Sequence, residues 1–185
     1  MRVLIACECS GIVRDAFTDR GHDAVSVDLI PSEREMGRHI VGDVLDVIAA
    51  EHFDLMIAHP PCVHLSVSGA RWFAEKRKDG RQQRALAFVK ELLDAPIDKI
   101  ALENPVSVIS SYIRPAAQYI QPYQFGHGET KKTGLWLKNL PLLQPTNEVS
   151  GREQRIWKMG PSETRSKDRS RTYEGIARAM AEQWG

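Results

Sequence analysis

Long apolar runs are missing from this chain of 185 residues. Its apolar stretches, such as Asp54 to Ala58 with its neighbours, fall far short of the roughly 18 residues a membrane helix needs. An excess of charge of one sign is missing too. The 25 Lys and Arg residues balance 24 Asp and Glu, for a net charge of +1. Bulk charge therefore does not mark a nucleic-acid binder. Cysteine is scarce. Cys7, Cys9 and Cys62 cannot all pair with one another, and Cys7 and Cys9 form C-x-C rather than C-x-x-C. With no second cysteine pair and no H-x-x-x-H, no metal site is expected. No repeat or low-complexity block is present. Met-Arg-Val-Leu-Ile at the start is too short for a signal peptide, so a cytoplasmic protein with free thiols is expected. Neither G-x-G-x-x-G nor G-x-x-x-x-G-K-[ST] occurs, which argues against dinucleotide and P-loop readings.

What is present is ordinary for a globular protein: 42% hydrophobic and 26% charged residues. The length fits a single domain over residues 1–185, with 1–142 and 172–185 as its core and 143–171 as a basic loop region. Between Arg152 and Arg171 stand the bases Arg152, Arg155, Lys158, Arg165, Lys167, Arg169 and Arg171, against the acids Glu153, Glu163 and Asp168. This stretch is either a solvated tail or a phosphate-contacting surface.

Along the chain, Val3 to Cys7 is a short apolar run that predicts a buried strand. Helical spacing of Ile12, Val13, Ala16 and Phe17 follows, up to Gly21. His22 to Asp28 predicts a second strand and His39 to Val41 a third. Val44 to Glu51 predicts a short helix and Phe53 to Ala58 a fourth strand. Val63 to about Gly80 reads as a long mobile loop. Leu86, Val89, Leu92 and Leu93 define an amphipathic helix over 81–93, and Ile97 to Leu102 a fifth strand. Tyr119 to Phe125 and Thr133 to Leu137 read as antiparallel strands, and Tyr173 to Trp184 as a closing helix. Strands alternating with helices predict an α/β fold on a mainly parallel sheet with an antiparallel edge.

In such sheets ligands bind beyond the carboxyl ends of the strands. There the chain has Glu8 to Gly11, Asp28, Asp43, His59 to Cys62, and Glu103-Asn104. Gly11 is a turn glycine that lets the backbone approach a nucleotide-like ligand. Asp28 suits a ribose hydroxyl, and Asp43 either serves a ligand or caps the following helix. Pro60-Pro61 stops a strand abruptly and sets the direction of Cys62. His59 reads as a loop or core histidine, with a ligand-side role the lesser alternative. Glu103, at a buried strand end, is expected to have a raised pKa. Together a thiol and a protonatable carboxyl suit addition to an electron-poor ring. For a pyrimidine, the thiolate adds at C6, the acid serves N3, and C5 becomes nucleophilic.

Pro60-Pro61-Cys62 and Glu103-Asn104, each closing a strand, resemble the signature of cytosine-C5 DNA methyltransferases of the compact, phage type. The resemblance covers roughly Met1 to Pro105. It implies a Rossmann-like methyltransferase fold, S-adenosylmethionine as cofactor and cytosine in DNA as substrate. It also implies Cys62 as nucleophile and Glu103 as the acid at N3. Cys9, Ser10, Gly11, Asp28, Asp43 and Pro60 then line the cofactor, and Asn104, Arg71, Lys131 and Lys132 meet the substrate. A positive group or a helix end beside Cys62 would lower its thiol, and Arg71 is a candidate. Four features depart from the family. Val13 and Arg14 stand where its first loop is richer in glycine, Pro105 follows Asn104 where valine is usual, Q-x-R-x-R is absent, and the roughly 35 residues between the Thr133 strand and the closing helix leave no room for a large target-recognition domain. The same chemistry on RNA or a free cytidine nucleotide, and a non-catalytic nucleic-acid-binding role, are the alternative readings.

Overall fold

The computed structural model describes residues 1–160, 162 and 165–185. Glu163 and the Lys167 side chain, counted in the basic stretch, lie outside the described residues. Strand β1 (Arg2–Ala6) leads through α1 (Ile12–Thr18) to β2 (Asp23–Asp28). Next come β3 (Arg38–Val41), α2 (Val44–Ala50) and β4 (Leu55–Ala58). A 3₁₀ turn (Val67–Trp72) runs into α3 (Phe73–Lys78), followed by α4 (Arg81–Leu93), β5 (Lys99–Pro105) and α5 (Ile109–Tyr112). The chain ends with β6 (Gln118–Ile120), β7 (Thr133–Lys138), α6 (Arg155–Lys158), α7 (Arg165–Ser170) and α8 (Glu174–Trp184).

The strands form one sheet in the order β3-β2-β1-β4-β5-β7-β6. β1 to β5 pair in parallel, and β7 runs antiparallel to both β5 and β6. This is the expected mainly parallel α/β sheet with an antiparallel edge. Both faces are covered, which is why the strand sequences are nearly continuous apolar runs. Val3, Ile5, Leu55 and Ile57 point into a core with Val13 and Phe17 of α1 and Ile176, Met180 and Trp184 of α8. Leu4, Ala6, Met56 and Ala58 point the other way, against Val44 of α2 and Val89, Leu92 and Leu93 of α4. The alternation follows from the two-residue period of a strand. The order reverses between β1 and β4, so a crevice opens at their carboxyl ends.

Three expectations need correction. The stretch from Val63 to Gly80 is helical over much of its length rather than a loop. Lys76 is buried, and its amine donates to the Val63 carbonyl at 2.6 Å, tying α3 back onto the turn after β4. Ala74, Glu75, Lys76, Arg77 and Lys78 are good helix formers, but they lack the apolar period that reveals a helix. Second, β5 runs on to Pro105, and Glu103 and Asn104 pair with Leu135 and Gly134 inside the sheet. Third, β6 stops at Ile120. Pro122 lacks the N–H a ladder needs, and Pro122–Gln124 forms a 3₁₀ turn instead.

Candidate functional site

The first half of the crevice is built by the loop after β1. Cys7 turns the chain in the left-handed region at φ 58°. Glu8, buried, then folds back over the start of α1. Its carboxylate accepts from the Ser10 hydroxyl at 2.9 Å, the Val13 amide at 2.8 Å and the Arg14 amide at 3.3 Å. Ser10 in turn accepts from the Ile12 amide. The polar groups of this loop therefore satisfy one another. Sequence reasoning marked Glu8 only as a strand-end polar residue. A carboxylate placed before a helix start was the available signal for capping.

Arg14 explains the scarcity of glycine in this loop. Its side chain is fully buried and meets Asp15 at 2.7 Å, Ser26 and Ser32 at 3.3 Å, and the Met36 carbonyl at 2.6 Å. It thus clasps the segment between β2 and β3 onto α1. Gly11 and Gly37, both at positive φ, lie flat on the guanidinium, where an added Cβ would sit 2.6 Å and 2.4 Å from its atoms. Arg14→Met should lower stability by about 3 kcal/mol, because the partners of a buried charge are left unpaired. In a domain of this size that is roughly 6–12 °C in melting temperature. A calorimetric shift under 2 °C (about 0.5–1 kcal/mol) would remove the clasp from the account.

Asp28 and Asp43 stand at the next two strand ends. Asp28 accepts from the Ile30 amide at 3.3 Å, and Asp43 caps α2 by accepting from the Leu45 amide at 2.9 Å. Both carboxylates reach Cys7 electrostatically. Burial first, then Asp28 and Asp43, push its thiol up to about 12. Cys9 is half-buried, its sulfur 3.9 Å from Glu33 and its carbonyl accepting from the Glu33 amide. This half offers carboxylates suited to hydroxyls and an exocyclic amine.

The second half is built by β4 and β5. The Asn104 amide donates to the Pro60 carbonyl at 3.0 Å, which fixes the turn that carries Cys62. The Cys62 carbonyl accepts from Leu65 and Ser66, and Val67 and Val108 lock this turn against the continuation of β5. Cys62 is half-buried; burial, then the nearby Glu103 charge, push its thiol up, against an opposing pull from Lys131 and Arg169. Glu103 is buried, with its Oε2 3.0 Å from His59 Nδ1. Burial alone would raise its pKa as expected, but the opposite holds. Hydrogen bonding from His59, the charge of Lys131 and a hydrogen bond from Thr133 outweigh burial and hold Glu103 below the usual carboxylate range.

Cys62, Glu103, Asn104, Pro60 and Lys131 thus come together. Lys132 lies over the Tyr119 ring at 4.7 Å. Arg71 lies over the exposed Trp72 ring at 5.1 Å, and the cations acting on Cys62 are Lys131 and Arg169 rather than Arg71. The basic stretch is folded onto the body. Arg155 pairs with Glu129, Arg171 with Glu33, and Lys131 donates to the Arg171 carbonyl at 3.2 Å. Sequence reasoning gave His59 only a lesser ligand-side role at a strand end, since its partner Glu103 lies 44 positions away.

No family model matches the sequence, and no curated protein matches it. Among solved structures the chain is similar to a candidate DNA modification methyltransferase encoded within a prophage of E. coli. The TM-score is 0.53 and the sequence identity 13%, over 87% of this chain. The match covers 55% of that protein, so the chain spans about half its length. At this identity the likeness is one of fold. Among the described residues, no helix is long and apolar enough to cross a membrane.

Proposed function

We propose that this chain transfers a methyl group from S-adenosylmethionine to C5 of cytosine in DNA, with Cys62 as the nucleophile. The observation that carries the reading is the meeting of a thiol from the turn after β4 and a buried carboxylate from the adjacent strand β5, with Lys131 acting on both. The description of the prophage protein as a DNA modification methyltransferase supports it. Asp28 and Asp43 fit the cofactor's ribose hydroxyls and adenine amine. When bound, the cofactor supplies an electrophilic methyl group.

The thiol of Cys62 loses its proton to solvent, helped by Lys131, and its sulfur bonds to C6. The electron pair of the C5–C6 bond moves through the ring toward N3, where a proton delivered by way of Glu103 prevents an anion from accumulating. C5, now electron-rich, takes the methyl group. Water then takes the C5 proton, the C5–H pair re-forms the C5–C6 double bond as the C6–S bond breaks, and the N3 proton returns to Glu103, which restores the aromatic ring and frees Cys62. A base stacked in a duplex cannot reach a half-buried thiol in the turn after β4, so the cytosine is extruded or single-stranded. Val63, Val67 and Trp72 are exposed apolar side chains on the turn and 3₁₀ segment after Cys62, suited to packing against a displaced base. Arg71 beside Trp72, Lys132, and the basic residues of 152–171 are the phosphate-contact candidates.

Transfer of a tritiated methyl group to DNA, followed by nucleoside analysis, tests the reading. 5-Methyldeoxycytidine is the expected product. Label in N4-methyldeoxycytidine or N6-methyldeoxyadenosine would overturn the chemistry, and label only in RNA or cytidine nucleotides would change the substrate. The cofactor half is tested separately. Asp28→Ala should weaken S-adenosylmethionine binding roughly ten- to a hundredfold, because a charge-assisted hydrogen bond is lost. Unchanged affinity by titration calorimetry would put the cofactor elsewhere.

A further inference from the structure

An ionised carboxylate is a poor acid, and Glu103 is held ionised by its surroundings. If C6 is attacked by sulfur, the proton needed at N3 has to reach Glu103 from a neighbour. The groups that face it are few. Thr133 of β7 offers a hydroxyl, which does not titrate in this range. Lys131, in the segment before β7, acts through its charge, and its amine donates to the Arg171 carbonyl. Cys62 must itself lose a proton, and Arg169 of α7 faces Cys62 as a fixed cation. That leaves His59, at the end of β4, whose Nδ1 lies 3.0 Å from the carboxylate.

His59 has two further properties. Its side chain is as buried as that of Glu103, at 9% and 11% exposure. Its Nε2 is buried and has no hydrogen-bond partner. A buried ring nitrogen without a partner is costly, because its desolvation is uncompensated, and such a group calls for an explanation. Since an ionised carboxylate only accepts, Nδ1 carries the hydrogen toward Glu103, and Nε2 is bare in the neutral ring. That bare nitrogen is where a proton can be taken up.

We infer that His59 and Glu103 act as one proton-carrying pair, loaded at His59 Nε2 and discharged through Glu103 to the substrate ring. The inference rests on the cytosine-C5 reading above. The loaded pair is imidazolium and carboxylate. As the C6–S bond forms, the Nδ1 proton passes to Glu103 and a carboxyl proton passes to N3. His59 is left neutral with its hydrogen on Nε2, Glu103 is ionised again, and the negative charge that would have developed on N3 is neutralised. When the C6–S bond breaks, the N3 proton returns along the same path.

His59→Asn separates the proton-carrying role from the structural one, since the amide nitrogen of Asn can still donate to Glu103 but cannot titrate. Adduct formation with single-stranded DNA containing 5-fluorocytosine is the readout, with S-adenosylmethionine affinity and melting temperature measured alongside. The wild type should show a rate that rises and then falls with pH. The variant should bind cofactor normally, react roughly 10²–10⁴-fold more slowly, and lose the alkaline fall. A variant with the wild-type rate and pH profile would overturn the inference while leaving the role of Cys62 standing. A wild type that forms no adduct at all would overturn both. Nitrogen NMR of the His59 ring gives a reading independent of activity. Its Nδ1 signal should move in Glu103→Gln, and an unmoved signal would show that the two groups do not share a proton.

Discussion

Cys62→Ser should abolish methyl transfer to DNA, a loss on the order of 10⁴-fold or more, as when a nucleophile is removed from an assembled site. Binding of S-adenosylmethionine should stay within about twofold, since the cofactor half rests on β1, β2 and the start of α2. The size follows from the atom replaced. A serine hydroxyl is far less acidic than a thiol and far less nucleophilic near neutral pH. The wild-type thiol is itself held up by burial and by Glu103, so most of it is protonated near neutral pH. The rate of adduct formation should therefore rise with pH on its acid side. With 5-fluorocytosine in the DNA the wild type should form a denaturant-resistant adduct mapping to Cys62, because fluorine is not lost as a proton is. A serine variant that still methylates, or an adduct on Cys7 or Cys9, would end the mechanism.

The sheet was legible because its strands are buried on both faces. Val3 to Ile5 and Leu55 to Ala58 are apolar runs of strand length, bounded by polar residues, and they leave little choice of element. The 63–80 segment was not legible, because α3 is held by one buried lysine and by propensity rather than by an apolar stripe. At the site, Pro60-Pro61-Cys62 and Glu103-Asn104 stood out as residue types that do not belong in a strand end by chance. Geometry between elements was hidden. His59 and Glu103 are 44 positions apart, and only parallel pairing of β4 with β5 brings them side by side. Because their contact was hidden, the direction of the Glu103 pKa was misjudged. Burial is readable from a strand pattern, whereas a hydrogen bond from a distant imidazole is not. Arg14 is the same case. A charged residue in an amphipathic helix reads as solvated, and only the fold reveals that four partners close around it.

Glu103→Gln should move two measurements in opposite directions. Methyl transfer should fall by roughly 10²–10⁴-fold, the usual worth of a positioned acid, because glutamine relays no proton from His59 to N3. Alkylation of Cys62 by iodoacetamide at neutral pH should become faster. Burial and Glu103 raise the Cys62 thiol, and removing the Glu103 charge leaves burial alone against Lys131 and Arg169, so the thiolate fraction grows. Cys7, with its thiol pushed up to about 12, should remain slow and serves as the internal reference. Stability should change with pH as well. The folded-state pKa of Glu103 lies below the ordinary value of 4.5, so its ionised form stabilises the wild type above that pH. The contribution is lost as pH falls through the lower, folded-state value. The difference in melting temperature between wild type and Glu103→Gln should therefore shrink on acidification. A merely disrupted site lowers methyl transfer and scrambles Cys62 reactivity without a fixed sign. Faster alkylation together with slower transfer is the outcome expected of a carboxylate that opposes the thiolate and serves the substrate ring. Slower alkylation in the variant would contradict that assignment.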